Sequence, residues 1–152
     1  MSLESTNRQN RRLIISITIV SFFLHLVWEY AQCIPLFIHG KLEPTDTAMI
    51  VATLGDVVLT WIAFLFVSLL SRDFGWVTKK WGIVQWSFLA TIALILSVGI
   101  ELRAVKTGRW AYTDINPLLF GKISIIPILQ LLILFPLTFY FSKKIASKKT
   151  RN

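Results

Sequence analysis

Four long apolar stretches dominate the sequence and restrict what it can fold into. They cover approximately residues 13–38, 47–70, 82–102 and 123–141, and each is long enough to cross a hydrocarbon layer about 30 Å thick as a helix of roughly 20 residues. Outer-membrane strands alternate polar and apolar residues, whereas the apolar character here is continuous around the helix. Because 55% of the 152 residues are hydrophobic, the sequence predicts an all-α polytopic membrane protein, with residues 1–152 forming a single membrane domain that is a four-transmembrane-helix bundle.

The first stretch follows Arg8, Arg11 and Arg12, as the h-region of a signal peptide follows its basic segment. The stretch is too long for an h-region, and no small-x-small cleavage site follows it. We therefore expect a retained first helix.

The distribution of Lys and Arg residues predicts the orientation of the chain. With four spans, the N-terminal tail, the loop at 71–81 and the tail SKKIASKKTRN lie on one side and together carry eleven Lys or Arg residues. The positive-inside bias predicts that this side, with both termini, is cytoplasmic in the cell or inner membrane. The C-terminal tail would also attract anionic lipid head groups. No nucleic-acid-binding motif accompanies the net charge of +8, so we expect no nucleic-acid partner.

Polar side chains interrupt all four stretches at similar depths. In the run HLVWEYAQC, His25 and Glu29 are four residues apart and so share a helical face. At 1.5 Å per residue, Glu29 lies about 24 Å from the cytoplasmic face, Asp56 about 14 Å below the outer surface and Gln130 about 10 Å below it. Glu101 lies close to the outer end of the third helix. Acidic side chains at such depths are costly and normally face protein or water, so we expect an outward-facing polar pocket.

Several neighbours of these residues are candidates for binding a substrate in or near that pocket. Aromatic side chains gather at membrane interfaces in any case, but an electron-rich ring also stabilises a cation at its face. An outward-facing arginine is either a tolerated exception to the positive-inside bias or a group that binds an anion or pairs with an acid. Together with Gln130, the candidates are Trp28, Gln32, Arg109, Trp110 and Tyr112.

The sequence lacks the motifs that mark many enzyme classes. It has no GxSxG, Walker A, HExxH or Rossmann glycine pattern, and its one cysteine excludes an intramolecular disulfide. His25, Glu29 and Glu101 could ligate a divalent metal, but without a histidine cluster we expect no metal and no other cofactor. The remaining chemistry is that of buried carboxyl groups, which can hold a proton and donate it to a double bond or a leaving group. The candidate catalytic residues are Glu29, Asp56, Glu101 and His25.

One segment, about residues 101–130, resembles a known family. The run ELRAVKTGRWAY places a Gly-x-Trp-x-Tyr segment after Glu101, and Pro127 stands early in the next predicted helix. This pattern is similar to that of the integral-membrane lycopene cyclase family, whose members protonate a polyene and guide a carbocation to a ring. After the proline that family has paired glutamates, whereas this chain reads PILQ, with Leu129 and Gln130. The resemblance implies a related fold that handles a related apolar substrate.

The sequence thus predicts an enzyme that acts on an isoprenoid, a carotenoid or another lipid by carboxylate acid–base chemistry, with a membrane lipid or apolar small molecule as its partner. The alternatives are a proton- or ion-coupled transporter or binding protein for small molecules, and an accessory subunit of a membrane complex. The acidic residues do not extend into the inner half of the membrane, so one copy offers no continuous polar path. Gly55, Ser97 and Gly99 would allow close helix contacts in a homo-oligomer.

Overall fold

The computed structural model describes residues 3–38 and 45–147. Its helices are α1 (Leu3–Leu36), α2 (Asp46–Leu70), α3 (Ile83–Thr107) and α4 (Ile126–Ser147), with a short 3-10 turn at Trp76–Thr78. Its two-residue strands are β1 (Phe37–Ile38), β2 (Ala111–Tyr112), β3 (Leu118–Leu119) and β4 (Ile123–Ser124). All four helices are long and apolar enough to span a membrane, which confirms the predicted four-transmembrane-helix bundle. Most of the first predicted outer loop (39–44) and the last residues of the basic tail (148–152) lie outside the described residues.

The four helices form a ring in chain order. α1 packs against α2 and α4, and α3 packs against α2 and α4. We call the end of the bundle at which α1 and α3 finish the site end. The opposite end, at which α1 begins and α4 finishes, is the terminal end.

The bundle exposes apolar side chains and buries polar ones. Large apolar residues are exposed on every helix, such as Val27 (70%) and Ile83 (80%). In contrast, His25 and Glu101 are fully buried between the helices. Apolar surface on all sides of a bundle is the kind of surface that lipid covers, because extensive exposed apolar patches are rare on proteins that face water.

The half of the bundle near the terminal end is closed by aromatic packing. Trp76, from the connection between α2 and α3, turns into the bundle, where only 1% of it is exposed. Its ring lies 6.3 Å from that of Phe64 and 5.1 Å from that of Phe139, measured between centroids. Its indole N–H donates to the hydroxyl of Ser68 at 3.1 Å. Aromatic side chains therefore fill much of the core at this end.

The helix ends differ from the limits of the apolar stretches. α3 continues past residue 102 to Thr107, where Gly108 ends it in the left-handed conformation with φ 62°. α4 begins at Ile126 because Ile123–Ser124 pairs with β3, and it runs on past residue 141 to Ser147. α1 already begins at Leu3. An apolar stretch marks the part of a helix that lies in hydrocarbon, and the helix itself can continue among polar residues.

The connection between α3 and α4, residues 108–125, folds over the site end, and we call it the roof. Its strand β2 pairs with β1, with Tyr112 opposite Phe37. The backbone N–H of Thr113 and the side-chain amide of Asn116 both donate to the carbonyl oxygen of Leu36, at 3.2 and 2.7 Å. The Thr113 hydroxyl donates to the carbonyl oxygen of Pro35 at 3.0 Å. The roof thus satisfies carbonyl groups that would otherwise lack partners at the end of α1.

Candidate functional site

A cavity of ≈ 280 Å³ lies between the helices, beneath the roof. Glu29 on α1, Asp56 on α2 and Glu101 on α3 all line it. α4 contributes Gln130, and Arg109 belongs to the part of the wall formed by the roof. Three carboxyl groups that come from different helices therefore face one space, as their depths in the sequence indicated.

The side-chain amide of Gln130 links the groups on one side of this cavity. Its nitrogen lies 2.8 Å from Asp56 Oδ2, 3.2 Å from Glu29 Oε1 and 3.1 Å from His25 Nδ1. An amide nitrogen carries only two hydrogens, so it donates to at most two of these three acceptors at a time. The third acceptor then depends on another donor, and for Glu29 Oε1 the side-chain amide of Gln32 is such a donor at 2.8 Å.

The orientation of this amide is determined by a chain of hydrogen bonds that begins at Trp28. The indole N–H of Trp28 is only a donor, and it donates to Gln32 Oε1 at 2.9 Å. The Gln32 nitrogen therefore points the other way, where it donates to Glu29 Oε1 at 2.8 Å and to Gln130 Oε1 at 3.1 Å. Because the Gln130 oxygen accepts there, its nitrogen must face the carboxylates and His25. Trp28 thus orients two amides although it is not part of the cavity wall.

His25 lies behind the cavity wall and is fully buried. The Thr60 hydroxyl uses its one hydrogen to donate to the backbone carbonyl of Asp56 at 2.9 Å. Its oxygen can then only accept, from Ser21 at 2.8 Å and from His25 Nε2 at 3.4 Å, which places a hydrogen on Nε2. His25 Nδ1 either accepts from Gln130 or, when it too carries a hydrogen, donates to Asp56 Oδ2 at 3.3 Å. The two arrangements differ by one proton.

Glu101 is held in place by the roof. Its Oε2 accepts from the hydroxyl of Tyr112 and from the backbone N–H of Ser124, the latter at 3.0 Å. Its Oε1 is buried and has no hydrogen-bond partner in the part of the chain that the structure describes. One oxygen of this fully buried carboxyl group therefore positions the side chain, and the other accepts no hydrogen bond of good geometry from the described residues.

Aromatic rings of the roof and of β1 belong to the same cavity wall as Glu101. Trp110 lines the cavity together with Phe37, and their ring centroids are 5.9 Å apart. The Arg109 guanidinium carbon lies 5.3 Å from the centroid of the Trp110 ring. The indole of Trp110 is close enough to interact with the Glu101 carboxylate, but its N–H makes no hydrogen bond of good geometry with any of the described residues. Burial and, to a smaller extent, the Glu101 carboxylate raise the pKa of Tyr112 to about 12.

The candidate residues named from the sequence thus lie at different distances from the cavity. Seven of them form its wall: Glu29, Gln32, Asp56, Glu101, Arg109, Trp110 and Gln130. His25, Trp28 and Tyr112 stand behind this wall and act on residues that belong to it.

Sequence reasoning did not identify the contribution of Cys33, which also lines the cavity. Its position four residues after Glu29 was a usable signal, because residues with this spacing share a helical face. The roles of Thr60 and Ser124 have no comparable signal, since both depend on contacts with other helices.

Among the described residues, no group of three or more His, Cys, Asp or Glu side chains is placed to hold a metal ion. No family model, curated protein or solved structure matches the chain.

Proposed function

We propose that this chain is a membrane enzyme that acts on an isoprenoid, a carotenoid or another apolar lipid by carboxylate acid–base chemistry. The observation that carries the proposal is that Glu29, Asp56 and Glu101 line one cavity in a bundle whose outer surface is apolar. Intramembrane acids are costly and normally serve a function. An apolar substrate can reach such a site directly from the bilayer.

The two sides of the cavity differ in the proton chemistry that they support. Glu29 and Asp56 share the amide of Gln130 with His25, and two carboxyl groups this close to one another favour a proton held within the cluster. Glu101 only accepts hydrogen bonds, as an ionised carboxylate does. We therefore assign proton donation to the Glu29–Asp56–His25 cluster and proton removal to Glu101.

In the proposed reaction, the proton held by the cluster is transferred to one carbon of a substrate double bond. The π electrons form the new C–H bond, and the other carbon becomes cationic. Glu101 then removes a proton from a neighbouring carbon, whose C–H electrons re-form a double bond. The substrate is isomerised without gain or loss of atoms, and water returns the proton from Glu101 to the cluster. In a polyene, a second double bond can attack the cation first and close a ring.

The segment that resembles the lycopene cyclases supports this proposal through its contacts. Glu101 and Tyr112 both belong to that segment, and they are hydrogen-bonded to each other. Gln130 stands in the region where that family has paired glutamates, and it donates to the acids of α1 and α2. In our proposal, Glu29 and Asp56 supply the carboxyl groups that this region of α4 lacks.

The arrangement of polar groups favours an enzyme over a transporter. Within residues 8–38 and 45–147, the buried His, Asp and Glu side chains lie towards the site end. The terminal end is filled by the rings of Phe64, Trp76 and Phe139. A transporter would need a polar path through this packing.

The proposal includes the orientation of the chain in the membrane. The Lys and Arg residues of the N-terminal tail, the 71–81 loop and the C-terminal tail support a cytoplasmic location for the terminal end. The roof and the cavity then belong to the outer half of the membrane. We also propose that the C-terminal tail binds anionic lipid head groups.

Deuterium incorporation tests the proposed chemistry on many candidate substrates at once. Lipids that copurify with the protein, together with a panel of unsaturated isoprenoids, are incubated with the protein in vesicles made in D₂O and analysed by mass spectrometry. We expect an isomer or cyclised product that carries deuterium. Glu29→Gln, Asp56→Asn and Glu101→Gln should each reduce its formation, and Asp114→Asn should not, because Asp114 is an exposed acid of the roof.

The three variants also test whether the acids act together. Loss of the same product in all three, with folding retained, supports one shared site. Unrelated effects on different lipids, or product formation that survives all three substitutions, would contradict the proposal. A proton flux across the vesicle membrane that depends on Asp56 would instead favour the transporter.

A further inference from the structure

We propose that the cavity is entered from the side of the bundle, through a mouth between α2 and α3 at Gly55. The ligand that fits is a single-chain lipid, which inserts one end while the rest of its chain stays in the bilayer. The reactivity of that end rests on the proposed function, but the route of entry does not.

The mouth is marked by exposed residues of α2 that also line the cavity. Val51 and Gly55 both do so, and Val51 is 61% exposed. They lie four residues apart on one helical face, about 8 and 14 Å along α2 from its first residue. The opening therefore faces the side of the bundle, where lipid lies. Asp56, just inside it, keeps 16% of its side chain exposed.

The roof does not offer a comparable way in. It is hydrogen-bonded to the end of α1 through the backbone carbonyl groups of Pro35 and Leu36. It is bonded to α3 through Glu101, which accepts from Tyr112 and Ser124. Entry through the roof would break these hydrogen bonds, whereas entry at Gly55 breaks none of them.

The size of the cavity limits how much of a ligand it can hold. Its volume of ≈ 280 Å³ is just below the range of about 300–1,000 Å³ that is common for sites enclosing a small molecule. A long isoprenoid or acyl chain is larger than the drug-sized molecules that such sites enclose. One end therefore enters, and the remainder lies along the lipid-facing surface.

The cavity suits the end of such a chain. Near the mouth, Ala52, Leu59 and Ile100 supply an apolar wall. Farther in, the wall includes Glu101, whose buried Oε1 has no hydrogen-bond partner within residues 8–38 and 45–147. An apolar entrance that leads to an unpaired carboxylate oxygen matches a hydrocarbon chain with a polar or reactive terminus.

Two glycines allow a matched test of the mouth. Gly55 and Gly99 are both exposed within spanning helices, and at both an added Cβ meets no other atom within 4 Å. Gly55 lines the cavity, and Gly99 on α3 does not. Tryptophan at either position should therefore be tolerated by the fold, but only Gly55→Trp should obstruct the cavity.

The single cysteine of the chain, Cys33, reports on access because it is buried and lines the cavity. The protein in phosphatidylcholine vesicles is treated with N-dodecylmaleimide, whose reactive end is carried by a chain that stays in the bilayer. We expect Gly55→Trp to slow labelling by about tenfold or more, and Gly99→Trp to leave the rate within about twofold. Geranylgeraniol in the vesicles should protect Cys33 in the wild-type protein. The variant Cys33→Ser, which has no thiol, measures the background of the labelling assay.

Two outcomes would overturn the proposal. They are equal labelling rates in the two tryptophan variants, and faster labelling by a sulfonated, water-soluble maleimide that Gly55→Trp does not slow. Gly55→Ala and Gly55→Leu form a graded series in case the tryptophan variant does not fold. Since labelling needs no catalysis, labelling that behaves as expected without deuterium incorporation would leave the mouth established and refute the enzyme.

Discussion

Two substitutions of Glu101 should separate its structural role from its chemical one. In Glu101→Gln, the amide oxygen can take the place of Oε2 and accept from Tyr112 and Ser124, so the attachment of the roof to α3 persists. In Glu101→Leu, neither donor has an acceptor. Both variants lack the carboxyl group and should therefore lose deuterium incorporation.

The expected losses of stability follow from these contacts. A buried donor left without a partner costs about 1–3 kcal/mol, so Glu101→Leu, which leaves two, should lower the free energy of unfolding by about 2–6 kcal/mol. Hydrogen bonds within membrane proteins contribute about 0.6 kcal/mol on average, so weakening the two bonds to Tyr112 and Ser124 in Glu101→Gln should cost about 1 kcal/mol. Tyr112→Phe, which removes one of the two donors, should fall between these values.

The free energies can be measured by unfolding the protein with SDS in mixed micelles and following tryptophan fluorescence. Asp114→Leu is the matched control, because the Asp114 side chain is exposed on the same connection. Equal destabilisation by the Gln and Leu variants would refute the anchoring role of Oε2. Full deuterium incorporation by Glu101→Gln would refute the assignment of proton removal to this residue.

Three further predictions concern a positioning residue and two titrating groups. Trp28→Phe should slow product formation by about tenfold with little loss of stability, because Gln32 is then free to turn its amide over; a wild-type rate would show that the amide orientation is unimportant. The phenolate absorbance of Tyr112 should appear near pH 12. Because the pKa of Tyr112 lies above the ordinary 10.0, the contribution of its hydroxyl to stability is complete below about pH 10 and is lost as the pH rises through about 12. A Tyr112 titration at pH 10 would contradict the burial of the hydroxyl. Lys79 donates a hydrogen bond to Asp73 at 2.7 Å and lowers the pKa of Asp73 below the ordinary 3.8. The small contribution of this ion pair to stability is therefore present above pH 3.8 and is lost as the pH falls through the lowered pKa. Lys79→Met should move the NMR titration of Asp73 back towards 3.8, and an unchanged titration would contradict this pair.

The helices and the depths of the acids were predictable because hydrocarbon imposes a simple rule on sequence. A span must be continuously apolar over a known length, and any polar residue within it must find a partner. That rule is sufficient to place Glu29, Asp56 and Glu101 at comparable depths. It does not determine which helices are neighbours in the ring.

The roles of the residues behind the cavity wall were not predictable, because they depend on contacts between distant segments. The strands β1 and β2 are two residues long, so they leave no alternating pattern, and their pairing joins Phe37 to Tyr112. Trp28 was named as a binding residue, but its role comes from the direction of the Gln32 amide. Hydrogen-bond direction is a property of the packed site and is not encoded by residue spacing.

The hydrogen bonds that attach the roof to α1 and α3 limit which parts of a protein with this architecture can change in sequence. In many enzymes, loops vary freely and supply specificity, and the scaffold beneath them stays constant. Here the connection between α3 and α4 completes the end of α1 and positions an acid, so changes to Thr113 or Asn116 would disturb the bundle itself. In the proposed enzyme, substrate range can change at lower structural cost at the proposed mouth, where Val51 is exposed and an added Cβ at Gly55 meets no other atom within 4 Å. A search for variants with new specificity should therefore begin in the spanning helices.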